Sequence, residues 1–120
     1  MLVTLPVMAQ QRVGDTESYF PQRLTAQELA AACASSKLTA KGRERRQYCA
    51  GFISGVEEAL RIGASREGGP ASGAVCVPEN VTASRLADTY VRYVSTPDTS
   101  LGRPAVVVAM EALKSAFPCR

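Results

Sequence analysis

The chain has 120 residues, 46% hydrophobic and 21% charged, with a formal net charge of +3; this fits one globular domain and is too mild a balance to mark a nucleic-acid or membrane binder. Histidine and tryptophan are absent and aromatics make up only 6%, so the core must be aliphatic, and His-ligated zinc or haem and Ser-His or Cys-His nucleophile pairs are excluded. Lys, Glu, Tyr and Asp remain as bases, so catalysis is disfavoured rather than ruled out.

Residues 1–9 are apolar and end Val7-Met8-Ala9 before Gln10. Residues of small or modest size at −3 and −1 suit signal-peptidase cleavage after Ala9. The segment reads as the remnant of a signal peptide whose start lies upstream; a frayed apolar terminus is the alternative. Nothing else approaches the ~20 apolar residues of a membrane span. Residues 10–23 are polar, carry Gly14 and Pro21, and show no apolar period, so a flexible lead-in is expected. The helical domain is expected over 24–120.

Thr25 and Glu28 form a capping box, flanked by Leu24 and Leu29 as a hydrophobic staple. A short helix is expected from there, through Ala32 and Cys33, to about Ser36. A second helix should begin between Thr39 and Arg43 and run to about Ile62. Its apolar stripe is Tyr48, Phe52, Val56 and Leu60, widened by Cys49 and Ile53. Gly51 and Gly55 each cost about 1 kcal/mol in a helix interior, so they predict close approach of a neighbouring helix. Charges on both sides of the pair exclude a membrane G-x-x-x-G. Gly63 to Gly73 reads as a long loop, which is either a flexible linker or a binding element.

Thr82 is the expected cap of a third helix, with Val81 and Leu86 as staple and Leu86, Tyr90, Val91 and Val94 as apolar face. Arg85, Asp88 and Arg92 are placed to pair along its outer side. Pro97 ends it. A fourth helix should begin near Pro104, with Val106, Met110, Leu113 and Phe117 on one face, and stop at Pro118.

The cysteines are Cys33, Cys49, Cys76 and Cys119. None forms a C-x-x-C pair, which weakens the zinc-ribbon and thioredoxin readings. An even count in a short chain is the disulfide pattern of oxidising compartments; four buried free thiols are the alternative.

From about Leu24 to Cys119 the chain resembles the Rap/Tai family, periplasmic immunity proteins that protect bacteria from type VI secretion amidase effectors. The residues that carry the resemblance are Leu29 and Cys33, then Tyr48-Cys49-Ala50-Gly51-Phe52-Ile53-Ser54-Gly55. They continue with Cys76-Val77-Pro78-Glu79-Asn80-Val81-Thr82, Leu86, Tyr93, Pro97 and the ending Ala112-Leu113-Lys114-Ser115-Ala116-Phe117-Pro118-Cys119. The C-x-G-[FY]-[IV]-x-G block, the C-[IV]-P segment and the terminal F-P-C stand in the same order. The resemblance implies a compact all-α domain related to the HdeA-like acid-stress chaperones. It also implies a peptidoglycan amidase as partner, inhibited by occlusion of its active site. The matching positions are cysteines, glycines and apolar residues, so no partner-binding residue carries over from them.

Cys33 and Cys49 fall on consecutive helices joined by a short turn, and Cys76 and Cys119 flank the third and fourth helices. Of three connectivities, 33–49 with 76–119 is therefore expected. Ser54 has neither the G-x-S-x-G spacing nor a histidine and reads as a small helix residue. Glu57 and Glu58, being adjacent, point in different directions and read as solvated surface. Lys37, Lys41, Arg43, Arg45 and Arg46 read first as a solvated basic turn and second as a patch that steers an acidic partner.

The sequence thus points to a binding protein rather than an enzyme, with no cofactor and no nucleic-acid partner. Arg61, Ser65, Arg66 and Glu67, at and before the glycine-rich loop, are the candidate partner contacts. A periplasmic helper or HdeA-like chaperone without a toxin partner is the second reading, and a homodimer is compatible with either.

Overall fold

The computed structural model describes residues 23–66, 75–97 and 99–119. The expectations for residues 1–22, a signal-peptide remnant and a lead-in, lie outside them. Four helices follow in chain order: α1 (Ala26–Cys33), α2 (Ala40–Arg66), α3 (Ala83–Val94) and α4 (Ala105–Ala116). Each touches the other three, and there is no strand among the described residues beyond two isolated bridges, Thr25 with Pro104 and Val75 with Pro118. The all-α domain expected from the sequence is the one found. So is the disulfide pairing, Cys33–Cys49 and Cys76–Cys119.

The capping box forms as read. The Glu28 amide donates to Thr25 Oγ1 at 3.1 Å and the Thr25 amide donates to Glu28 Oε1 at 2.9 Å. Leu29 is fully buried and Leu24 packs against the core beside it. The helix stops at Cys33 rather than near Ser36. Arg46, reaching back from α2, explains the early stop: its Nη1 donates to the carbonyls of Cys33 at 3.0 Å and Ser35 at 3.1 Å. The Cys33 carbonyl is one of the acceptors a helix end leaves open. One member of the basic run is therefore a structural cap. Arg43, which donates to the Lys37 carbonyl at 3.2 Å, ties the same turn.

Thr39 starts α2 by accepting the Gly42 amide at 2.9 Å. Gly42 is needed there, because a Cβ would lie 2.0 Å from the Ser36 carbonyl oxygen. The buried line of α2 is Cys49, Ile53 and Glu57, with Phe52, Val56 and Leu60 half-buried beside it. Tyr48, expected in the stripe, is 51% exposed. Successive helical residues are about 100° apart, so centring the seam on Cys49 turns Tyr48 to the margin. Gly51 and Gly55 do not mark a helix contact either. A Cβ on either would meet nothing within 4 Å.

Val81 and Leu86 staple the start of α3, and the Arg85 amide donates to Thr82 Oγ1 at 3.1 Å. Leu86, Tyr90 and Val94 are buried as expected. The Tyr90 hydroxyl donates to the Ala26 carbonyl at 2.8 Å, so α3 is locked to the first turn of α1. Burial pushes this phenol up to about 12. No ion pair forms among Arg85, Asp88 and Arg92; among the described residues the pairs are Arg61–Glu57 and Arg103–Glu111. The outer face of α3 is open to water, where such pairs contribute little.

The start of α4 is stitched to that of α1. The Ala105 amide donates to Leu24 at 2.7 Å, the Ala26 amide to Arg103 at 2.8 Å and the Gln27 amide to Leu101 at 3.0 Å, each to a carbonyl. These bonds satisfy amides that two helix beginnings would otherwise leave open. The buried face is Ala105, Val108, Ala109, Ala112 and Leu113. It is turned from the expected one, and Val106 is 45% exposed. Three alanines in that face let the neighbouring helices close in, which a face of Val106, Met110 and Phe117 would prevent.

The core is thin: Leu29, Ile53, Tyr90, Val108 and Leu113 are its largest fully buried side chains besides Cys49. Each is worth roughly 1.5–3 kcal/mol. The bridges close separations of 16 and 43 residues, so loop-entropy arithmetic gives them about 3 and about 4 kcal/mol. Two covalent clamps rival several core side chains.

Candidate partner-binding surface

The longest element supplies the surface. With 27 residues, α2 is about 40 Å long, and its seam occupies one side. On the other side Tyr48, Gly51, Gly55, Glu58 and Ile62 are all exposed. Their spacing of three or four residues puts them on one face. Tyr48 leans on the half-buried Phe52, with ring centroids 6.4 Å apart, and Ile62 is 59% exposed. The two glycines leave the stretch between these side chains flat. Lys41 and Glu44 continue the face toward the start of the helix, both exposed. Tyrosine is among the residue types that interface hot spots favour.

Arg61 lies near the end of this helix, and the structure shows what orders it. Glu57, one turn earlier, is only 6% exposed. It does not behave as the solvated carboxylate read from the sequence, whereas Glu58 does. Arg61 compensates the burial: Nε donates to Glu57 Oε2 at 3.0 Å and Nη2 to Oε1 at 2.6 Å. The Arg61 side chain nevertheless stays 66% exposed. Glu57 foremost, with Glu58 and Glu79 more weakly, holds its guanidinium above the ordinary arginine value. A planar guanidinium gripped at two atoms is preorganised, so less freedom is lost when a partner binds it.

Of the other candidate contacts, Ser65 and Arg66 belong to the last turn of α2 and not to a loop. The helix outruns the expected end at Ile62 because Gly63 costs only about 1 kcal/mol against the packing of the turns before it. Glu67, with the rest of the glycine-rich stretch to Gly73, lies outside the described residues.

Two further features stand elsewhere. A half-open cleft of about 300 Å³ lies between the lead-in to α3 and the end of α4, lined by Pro78, Asn80, Val81, Thr82, Arg85 and Phe117. Arg103 grips Glu111 through two hydrogen bonds, and Tyr93 donates to the same carboxylate at 3.3 Å. The Arg103 hydrogen bond is the main reason that carboxyl is held below its ordinary value. This cluster spans α3, α4 and the loop between them, and it serves packing. Sequence reasoning missed Glu57, Arg46 and this triad. Only the first left a local signal, a Glu–Arg pair four residues apart. No metal-holding group of three His, Cys, Asp or Glu occurs among the described residues, and no described helix is long and apolar enough to cross a membrane.

Four helices clamped by two disulfides, with a long exposed helix face and a half-open cleft, define a small domain that offers a surface to a partner. The chain belongs to the Rap1a immunity proteins, whose family model matches residues 25–119. That span runs from the capping threonine to the last cysteine and contains both disulfides. No curated protein and no solved structure matches the chain.

Proposed function

We propose that the chain is a periplasmic immunity protein of a type VI secretion system, which binds a peptidoglycan amidase effector and occludes its active site. The observation that carries this reading is the family match over residues 25–119. The outer face of α2 is the contact surface in this reading, with Tyr48, Arg61 and Ile62 as anchors, and the candidate contacts Ser65, Arg66 and Glu67 follow Arg61 in the sequence. The protein acts by binding and carries out no chemistry. Two disulfides suit an oxidising compartment, and the apolar residues 1–9 suit export.

The test pairs the purified chain with amidases encoded beside its gene. Titration calorimetry should give a tight complex, and hydrolysis of purified peptidoglycan by the amidase should fall to zero at one chain per enzyme. Sedimentation of the complex gives its stoichiometry and separates one bound copy from a homodimer. Full amidase activity at a tenfold excess of the chain would reject the proposal.

A further inference from the structure

We infer that the Cys76–Cys119 disulfide is a thiol–disulfide exchange site, open to dithiol reductants and oxidoreductases while Cys33–Cys49 stays closed. The two bridges differ in surroundings. Cys33 is 4% exposed and Cys49 0%, and both belong to the core cluster with Leu29 and Ile53. Cys76 is exposed and Cys119 half-exposed, and both stand outside the helices, before α3 and after α4. Exchange needs a thiolate to reach a sulfur. At Cys33–Cys49 that approach requires opening the core between α1 and α2. At Cys76 it requires no rearrangement of a helix.

The step balances without a further co-reactant. A thiolate of the dithiol attacks Sγ of Cys76, the more exposed residue of the pair. The S–S bond breaks and its electron pair leaves on Cys119 Sγ, which takes a proton from water. The second thiol of the reductant then attacks the mixed disulfide and releases Cys76. Two electrons have passed: the protein holds two thiols and the reductant one disulfide.

The consequence falls on the cleft. Its lining comes from both sides of the bridge: Pro78, Asn80, Val81, Thr82 and Arg85 follow Cys76, and Phe117 precedes Cys119. Besides the disulfide, the two strands of chain are joined by the Val75–Pro118 bridge, in which the Cys76 amide donates to the Phe117 carbonyl at 2.8 Å. The packing of α3 on α4 lies deeper, through Leu86, Tyr90, Val108 and Leu113. Reduction therefore leaves the segment after α4 held only by that hydrogen bond and by Phe117 against the core, and it loosens the cleft while the helices stay.

The experiment uses the full folded chain and dithiothreitol. Aliquots are quenched with iodoacetamide and each cysteine is scored by peptide mass mapping, while circular dichroism follows the helices. Cys76 and Cys119 should be labelled about 100-fold faster than Cys33 and Cys49, because local opening at a surface is far more frequent than opening of a core. Helicity should be unchanged when the first pair is fully labelled. Equal rates, or earlier labelling of Cys33 and Cys49, would overturn the assignment. Hydrogen exchange at the amide of residue 76, which donates to the Phe117 carbonyl, should quicken about tenfold once the first pair is reduced, and it should be equally quick in C76S/C119S. Exchange that stays at the oxidised rate would refute the loosening of the segment.

Discussion

Tyr90→Phe separates a hydrogen bond from the packing around it. The ring stays, so no cavity opens, and only the bond from the Tyr90 hydroxyl to the Ala26 carbonyl is lost. That carbonyl sits in the first turn of α1 and keeps the helical amide four residues on, so the cost at neutral pH should be near ~1 kcal/mol. The same burial changes the alkaline limb. The Tyr90 phenol ordinarily titrates at 10.0 and is pushed up to about 12 in the fold. A raised folded value means that the contribution is complete below pH 10.0 and is lost as pH rises toward 12. At ~1.4 kcal/mol for each tenfold in the ionisation constant, the wild type should lose about 2.7 kcal/mol across that window. The variant loses none of it, since the remaining tyrosines titrate in both proteins. The two stability curves should therefore cross between pH 10.0 and about 12, with the variant the more stable toward the upper end of that window. Urea unfolding followed by circular dichroism from pH 7 to 11.5 measures this directly. A constant gap over the whole range would show that the phenol is not held neutral by burial. A gap of about 3 kcal/mol at pH 7 would show that the Ala26 carbonyl has no other partner.

Three further outcomes are expected. Gly51→Ala and Gly55→Ala should each stabilise by about 1 kcal/mol in thermal or urea melts, because nothing lies within 4 Å of the added carbon; Gly42→Ala should destabilise by about 1–3 kcal/mol through its clash with the Ser36 carbonyl. Arg61→Ala should lower the urea midpoint more than Glu57→Leu does, since the first leaves a buried carboxylate unpaired and the second removes it; the reverse order would mean that water already solvates Glu57. For Glu111 the folded value is depressed below 4.5, so its contribution is present above that pH and is lost as pH falls through the depressed value; Glu111→Gln should remove that part of the acid slope in urea melts taken from pH 7 to 3.

Helix starts were legible because the cap and the residue it serves are three positions apart in the chain. Thr25 with Glu28 and Thr82 with its staple needed no tertiary information. The disulfide pairing was legible for a related reason, since element order alone makes α1 and α2 neighbours. Helix faces were harder. In α2 the apolar residues from Tyr48 to Ile53 cover more than half the circumference, and a rotation of one residue decides whether Tyr48 or Cys49 faces the core. The alanines of α4 decide its face by letting neighbours approach, a property of the pair of surfaces and not of the segment. Arg46 lies thirteen residues from the carbonyl it caps, beyond any local pattern. Glu57 was misread because carboxylates are seldom buried, although its partner four residues on was in view.

The same distinction bears on the partner. The residues that carry the resemblance to the immunity family are cysteines, glycines and apolar positions, and these build a frame any member could use. The glycines of α2 tell more. Gly42 is demanded by the backbone, whereas Gly51 and Gly55 face open space and weaken the helix that carries them. A fold under selection for stability alone would hold alanine at both. Their presence on the face between Tyr48 and Ile62 is accounted for if a partner's side chains come close to the α2 backbone. Alanine at both positions should then raise the melting temperature and weaken effector binding together. Unchanged affinity in the stabilised double variant would move the contact off this face and toward the end of α2, where Arg61 is held.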